Sequence, residues 1–183
     1  PNANGIVFAT SGAGKSYAVK LEILRTLMMG IDVICIDPEM EYKNLSDAVG
    51  GSYINLSLAS ESKINPFDLP RPTTSDTSTE DIIRSAVITT KGILRLMLGQ
   101  FTTEEDSLLD RALLETYAKK DITPDTDLTK LGPTDMPILA DLQNILDGMT
   151  GAKDIVERLK KYTEGTFAGL MNAYTNVTMN NQF

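Results

Sequence analysis

The chain has 183 residues, which is enough for one domain or for one domain with a modest insertion. Hydrophobic residues make up 42% of it, sufficient for an ordinary core, and no apolar stretch reaches the roughly 18 residues that span a bilayer. The net charge of −8 argues against a large nucleic-acid footprint, although a local basic surface could still contact DNA. Because the chain has no histidine, histidine metal ligands and histidine acid–base catalysis are excluded.

The N-terminal part of the chain alternates between apolar runs and one helical pattern. Residues 5–9 form a short apolar run that predicts a buried strand, and residues 17–29 repeat apolar positions at helical spacing before Gly30. Residues 31–36 predict a second strand, in which Cys35 is expected to be a small core residue, and residues 52–56 predict a weaker third one. Strand, helix and strand in this order indicate a βαβ unit and a parallel sheet.

Residues 70–80 are rich in proline, threonine and serine, which predicts a mobile connection. Helical periodicity follows, and Thr102 with Glu105 has the spacing of a capping box. The apolar positions predict four helices, with stripes over residues 82–98, 108–117, 138–146 and 155–162. The middle of the chain is therefore expected to be an all-helical block.

The segment Ala9–Ser16 matches the phosphate-binding loop pattern, with alanine in place of the first glycine. Gly12 and Gly14 can turn successive N–H groups toward a phosphate, and the following helix points its positive N-terminus at the same anion. Lys15 is expected to reach the β- and γ-phosphates in a catalytic role, and Ser16 to bind Mg²⁺. The predicted nucleotide-binding residues are Thr10, Ser11, Gly12, Ala13, Gly14, Lys15, Ser16 and Tyr17.

Phosphoryl transfer to water also needs acids that hold Mg²⁺ and orient the nucleophile. The run over residues 33–36 ends in Asp37 and Glu39, which are candidates for these catalytic roles. Two other interpretations stay open: an acidic turn that caps the run, or an indirect role for Asp37 near the phosphates. An arginine finger cannot be chosen from the sequence, because the candidates cannot be ranked; they are Arg84, Arg95, Arg111 and Arg158.

Three segments together resemble the motor domain of the VirB/TraC-type ATPases of bacterial conjugation and type IV secretion, within the FtsK–HerA superfamily. They are the glycine loop, the segment Ile-Asp-Pro-Glu-Met-Glu-Tyr at residues 36–42, and Ile-Asn-Pro-Phe-Asp-Leu at residues 64–69. The helical block after residue 80 resembles this family's insertion, and residues 163–172 resemble the segment that leads back to the sheet.

The resemblance implies an α/β fold: a RecA-like P-loop NTPase sheet with an all-helical insertion, and with the C-terminal part of the sheet missing. The expected boundaries are residues 1–72 for the start of the ATPase domain, 73–150 for the insertion and 151–183 for the helical return. The family's main Asp-Glu catalytic pair would then lie beyond Phe183, so that Asp37 and Glu39 would not be the principal acids.

The resemblance further implies an oligomeric motor, a hexamer or a lower oligomer, that hydrolyses ATP with Mg²⁺ to drive pilus assembly or substrate translocation. It would be cytoplasmic, peripheral to the inner membrane, and would contact inner-membrane and cytoplasmic components of the secretion machine, with DNA or protein as possible substrates. Alternatives are a DNA-pumping coupling protein or helicase of the same superfamily, a nucleotide kinase, and a non-catalytic nucleotide-sensing module.

Overall fold

The computed structural model describes residues 4–70 and 78–177. These residues form two compact units, one of residues 4–54 and one of the described residues between 55 and 177. Residues 71–77 of the predicted connection lie outside the described residues. This range includes residue 72, the expected end of the first domain. The expected domain boundaries remain predictions.

The N-terminal unit contains two helices: α1 spans Lys15–Met28 and α2 spans Lys43–Ala48. The first confirms the predicted helix. Gly30 follows it with a φ of 72° and donates its N–H to Leu27 O at 2.9 Å, so a left-handed glycine ends the helix as expected. Helix α2 was not predicted, because its six residues are too few to show a helical period.

The predicted parallel sheet is wrong, because the described residues contain no β-strand at any of the three expected runs. The side chains of Phe8, Ile34 and Ile36 are 90%, 82% and 92% exposed, and Cys35 is exposed rather than part of a core. A strand exists only where its backbone pairs with a neighbour, whereas an apolar run reveals only a preference for burial. The described residues are therefore helical, with unpaired apolar runs on either side of α1.

The second unit is built from five helices in the described residues, and the four predicted ones are confirmed. None of the described helices combines the length and the apolar character that crossing a bilayer requires. In chain order they are α3 (Thr79–Leu98), α4 (Thr103–Ala118), α5 (Leu139–Asp147), α6 (Lys153–Thr163) and α7 (Ala168–Met171), with 3₁₀ turns at Leu128–Lys130 and Pro133–Asp135.

Side-chain caps fix where the two longest helices of this unit begin. The Ser78 hydroxyl accepts the N–H of Asp81 at 3.1 Å at the start of α3. At α4 the Thr102 hydroxyl accepts the N–H of Glu105 at 3.2 Å, and the Glu105 carboxylate accepts the N–H of Thr102 at 2.8 Å, which confirms the predicted capping box.

The second unit encloses a continuous apolar core in which Phe67 and Tyr117 lie fully buried. Their rings meet edge to face with centroids 5.9 Å apart, and the Tyr117 hydroxyl donates to Phe67 O at 3.0 Å. Helices α3 to α6 supply most of the other buried side chains, among them Leu94, Leu109, Leu113, Leu139, Leu142, Leu146, Ile155 and Leu159. The Pro-Phe segment before α3 thus anchors the helical unit.

Candidate nucleotide-binding site

Two left-handed glycines shape the loop that precedes α1. Gly12 has a φ of 78° and Gly14 a φ of 86°, a region that residues with a side chain adopt only with strain. A Cβ added at either glycine would meet no atom within 4 Å. Glycine is therefore required here by the backbone angle and not by close packing.

The N-terminus of α1 is open, in contrast to the capped helices of the second unit. Gly14 is its N-cap and has no side chain to accept an N–H, and the first turn carries no acidic residue. The first helical bond runs from Ala18 N to Gly14 O at 2.9 Å. Within the described residues no acceptor occupies the N–H groups of Lys15, Ser16 or Tyr17, so these three donors and the helix dipole are free to hold an anion.

The structure brings the predicted loop residues together on one accessible turn. Residues 10–15 are exposed, and Ser16 is half-buried at the first helical turn. The ring of Tyr17 is 73% exposed, so it is not part of a core. The positive end of α1, the Lys15 ammonium and the Ser16 hydroxyl therefore belong to one surface that could receive a phosphate group.

Asp37 has a structural role that the sequence had left open. Its carboxylate accepts the N–H of Glu41 at 3.1 Å through Oδ1 and the N–H of Tyr42 at 2.9 Å through Oδ2. Met40 between them has a φ of 57°, an unusual value for a residue with a side chain. Asp37 thus closes an acidic turn immediately before α2 and holds its backbone in place.

The two predicted acids are not joined to the glycine loop. No described hydrogen bond or ion pair links Asp37 or Glu39 to residues 10–17, and Glu39 is exposed. Sequence reasoning also missed Tyr42, whose ring lies 5.3 Å from the Lys20 ammonium of α1. No sequence signal pairs these two residues, because their contact depends on where the acidic turn folds back.

An apolar cavity of about 380 Å³ lies along the flank of α1, away from its N-terminus. Val7 and Val33 from the two apolar runs face Ala18, Val19 and Ile23 of the helix across it. With so few polar groups it does not suit a phosphate. It shows that the apolar runs lie beside α1 without filling the space between them.

The four candidate finger arginines are all accounted for by contacts within the helical unit. Arg84 pairs with Glu80 of its own helix, Arg111 with Glu115, and Arg95 with Asp106. Arg158 is the most constrained of them, because it contacts Glu105, the carbonyl oxygen at the end of α3 and one in the α3–α4 connection. The structure singles out none of them as an arginine directed at a phosphate.

Comparison with known proteins identifies the class to which this loop and helical unit belong. The family model of the helicase HerA central domain matches residues 6–166, and the chain belongs to this family. The predicted relationship to the FtsK–HerA superfamily, which consists of P-loop ATPases, is thereby confirmed.

A solved structure gives the more particular relationship. The chain is similar to VirB4 of Thermoanaerobacter pseudethanolicus, with 30% sequence identity and a TM-score of 0.79. The match covers 94% of this chain and 46% of the VirB4 chain, so the chain spans a little under half of that protein's length. Among the curated proteins, none shows significant similarity.

Proposed function

We propose that residues 10–17 bind the phosphates of Mg–ATP and that the chain is the nucleotide-binding part of a secretion motor. The observation that carries the proposal is the open N-terminus of α1, which begins at a left-handed glycine with free N–H groups and an exposed lysine. Membership of a P-loop ATPase family supports the same ligand.

Each residue of the loop has a distinct proposed role. The N–H groups around Gly12 and Gly14 hold the phosphate oxygens, and Lys15 neutralises charge on the β- and γ-phosphates. The Ser16 hydroxyl is the proposed Mg²⁺ ligand. Phosphate and water oxygens are the proposed remaining ligands, in keeping with the oxygen coordination that Mg²⁺ prefers.

Asp37 and Glu39 remain proposed members of the catalytic centre, with different roles. The two hydrogen bonds that Asp37 accepts support a positioning role, since both carboxylate oxygens are already used within the turn. Glu39 projects from that turn and is the one of the two that is free to orient a water molecule.

At the level of the machine, we propose an ATP-hydrolysing oligomer, a hexamer or smaller, that energises conjugation or type IV secretion. The similarity to VirB4 supports this role, and a cytoplasmic position at the inner membrane beside other components of the machine would follow from it. A DNA-pumping or helicase-like translocase is the second candidate, because the matching family model is that of a helicase. DNA and protein thus both remain proposed substrates.

The first test is Mg–ATP binding by calorimetry in the wild-type chain and in Lys15→Ala. A hydrogen bond to a charged group contributes about 1.5–3 kcal/mol, so the variant should bind ten- to a hundredfold more weakly. Lys20→Ala, on the same helix but outside the loop, is the matched control and should bind like the wild type. Equal affinity of Lys15→Ala and the wild type would contradict the proposed site.

Gly14→Ala and Gly30→Ala form a second matched pair, because both glycines have positive φ and open space around a Cβ. Each variant should lose about 1–2 kcal/mol of stability from backbone strain. Only Gly14→Ala should also lose Mg–ATP binding. Turnover by the same chain tests Glu39. If Glu39→Gln abolishes ATP hydrolysis but not Mg–ATP binding, Glu39 is catalytic, whereas unchanged hydrolysis in Glu39→Gln removes it from that role.

A further inference from the structure

The last described residues of the helical unit lie against the segment that leads into it. Asn172 is tied to the helices, since its side chain accepts the N–H of Ala140 at 2.9 Å and donates to Thr163 O at 3.2 Å. We call residues 173–177, which follow it, the strap and residues 61–68 the neck. The Asn176 side chain donates to Glu61 O at 2.7 Å and accepts the N–H of Lys63 at 2.7 Å. The Thr175 hydroxyl accepts the N–H of Asn65 at 2.7 Å and donates to the Asp68 carboxylate. Two positions more than a hundred residues apart in sequence are thus joined.

Side chains, and not a backbone ladder, make these connections. In the described residues a single backbone–backbone bond joins strap and neck, from Asn176 N to Lys63 O at 3.3 Å. No strap residue falls in the buried class, and Tyr174 is 37% exposed. The strap is therefore held by a few polar contacts, each of modest net strength, without an apolar anchor.

The neck, in contrast, is fastened to the core by its own contacts. Asn65 is 2% exposed and donates through its side chain to Pro137 O at 2.7 Å. The Thr90 hydroxyl donates to Pro66 O at 2.9 Å, and Phe67 is fully buried under Tyr117. The neck can therefore stay in place when the strap leaves.

One strap contact ends on a group that is poorly satisfied. Oδ2 of Asp68 accepts a hydrogen bond from the Thr175 hydroxyl, whereas Oδ1 is buried and has no hydrogen-bond partner among the described residues. Leaving a buried carboxylate oxygen unpaired opposes the closed arrangement. The favourable hydrogen bond from Thr175 to Oδ2 is thus partly offset by the cost of burying Oδ1 without a partner.

We propose that residues 173–177 form a releasable strap, which opens from and closes onto the neck while helices α3 to α6 stay folded. Release frees five residues, which extended would reach about 17 Å. This proposal goes beyond nucleotide binding, because it gives the strap, at the C-terminal end of the described helical unit, a conformational role. The relevant open state is a local opening of the native protein, not its unfolding.

Native-state hydrogen exchange by NMR tests the proposal directly on the whole chain. The amides of Lys63 and Asn65 donate to the strap, so they exchange only when it opens. We expect them to exchange at least about tenfold faster than Leu113 in the core, with little dependence on added urea. Exchange at the same rate and with the same urea dependence as Leu113 would overturn the proposal.

Thr175→Val removes the hydroxyl but keeps the shape, and should speed exchange at Asn65 by about tenfold, since it removes two hydrogen bonds. Thr175→Ser keeps a hydroxyl and should restore slow exchange. Thr116→Val is the matched control, because among the described residues this buried hydroxyl bonds only to Ala112 O of its own helix. An unchanged Asn65 rate in Thr175→Val would show that Thr175 does not hold the strap.

Asn176→Ala provides an independent variant if Thr175→Val does not fold. It removes the acceptor of the Lys63 amide and the donor to Glu61 O. Exchange at Lys63 should rise by about tenfold while Leu113 is unaffected. If the Lys63 rate does not change, or if Leu113 changes equally, the strap does not open separately.

Discussion

At the scale of single residues, Asp68 makes the stability of the helical unit depend on pH. Burial raises the pKa of this carboxyl above its ordinary value of 3.8, and the hydrogen bond from Thr175 offsets only part of the effect. A raised folded-state pKa contributes stability at low pH, and this stability is lost as pH rises through it. Asp68→Asn should therefore gain stability over the wild type as pH rises from 3.8 toward neutrality, measured by urea unfolding.

Asp127 supplies a control of opposite sign for this prediction. Hydrogen bonds from Thr129 and Lys130 lower the pKa of its carboxyl, so its contribution is present at neutral pH and is lost in acid. Asp127→Asn should accordingly lose stability at neutral pH and approach the wild type as the pH falls.

The Asp68 prediction has a clear contradicting outcome. If the free energies of unfolding of Asp68→Asn and the wild type change in parallel with pH, Asp68 is not buried in its charged form.

At the scale of elements, Arg158 of α6 holds the connection between α3 and α4. It donates to Leu98 O at 3.2 Å and to Gln100 O at 3.0 Å, and it contacts the Glu105 carboxylate that caps α4. Its guanidinium carbon lies 5.1 Å from the Phe101 ring centroid. One side chain thus ties three elements of the unit together.

Arg158→Ala should lower the free energy of unfolding of the helical unit by about 2 kcal/mol, because charge-assisted bonds at partly buried positions are lost. The exposed Arg84–Glu80 pair provides the matched control, and Arg84→Ala should change stability by less than about 1 kcal/mol. Thermal and urea unfolding followed by circular dichroism measure both. Equal effects of the two substitutions would show that the Arg158 contacts contribute no more than a surface ion pair.

At the scale of the whole molecule, the two units differ sharply in how much they bury. All described residues of the core lie in the unit that runs from residue 55 to 177, whereas no residue between 4 and 54 falls in the buried class. Protection from proteolysis depends on local stability, and burial of apolar groups is its main source. Brief trypsin digestion should therefore cut at Lys20, Arg25 or Lys43 well before sites in α4 to α6.

Mass spectrometry of the digest checks this order, and Mg–ATP should slow cleavage at Lys20 in the wild type but not in Lys15→Ala. Simultaneous cleavage in both units would contradict the difference in stability inferred from burial. The Lys15 variant separates protection by bound nucleotide from an indirect effect of the additive.

The sequence predicted those features that depend on local interactions. Thr102 and Glu105 form the expected capping box, and Gly12 and Gly14 adopt the expected left-handed angles, because both depend on residues three or fewer positions apart. The strand predictions were wrong because a strand depends on contacts between distant parts of the chain. Ile36 belongs to an apolar run, but strand pairing requires a partner that no local pattern specifies.

The same distinction between local and long-range interactions applies to the candidate site. The open N-terminus of α1 follows from Gly14 and the residues next to it, so this local geometry could be predicted, while phosphate binding by the loop stays a prediction. The bonds from Glu41 and Tyr42 to Asp37 depend on how the intervening turn closes, and the contact of Asn65 with Thr175 joins residues 110 positions apart. Neither can be derived from composition or spacing.

The exposure of Cys35 gives the protein a built-in attachment point for a fluorophore. It is the sole cysteine of the chain, so a maleimide dye would label one position without mutagenesis. Partial burial and the neighbouring Asp37 carboxylate raise the pKa of the thiol, so labelling needs mildly alkaline buffer. The dye would lie two residues from the acidic turn, where its anisotropy could report in real time whether nucleotide reorganises that turn.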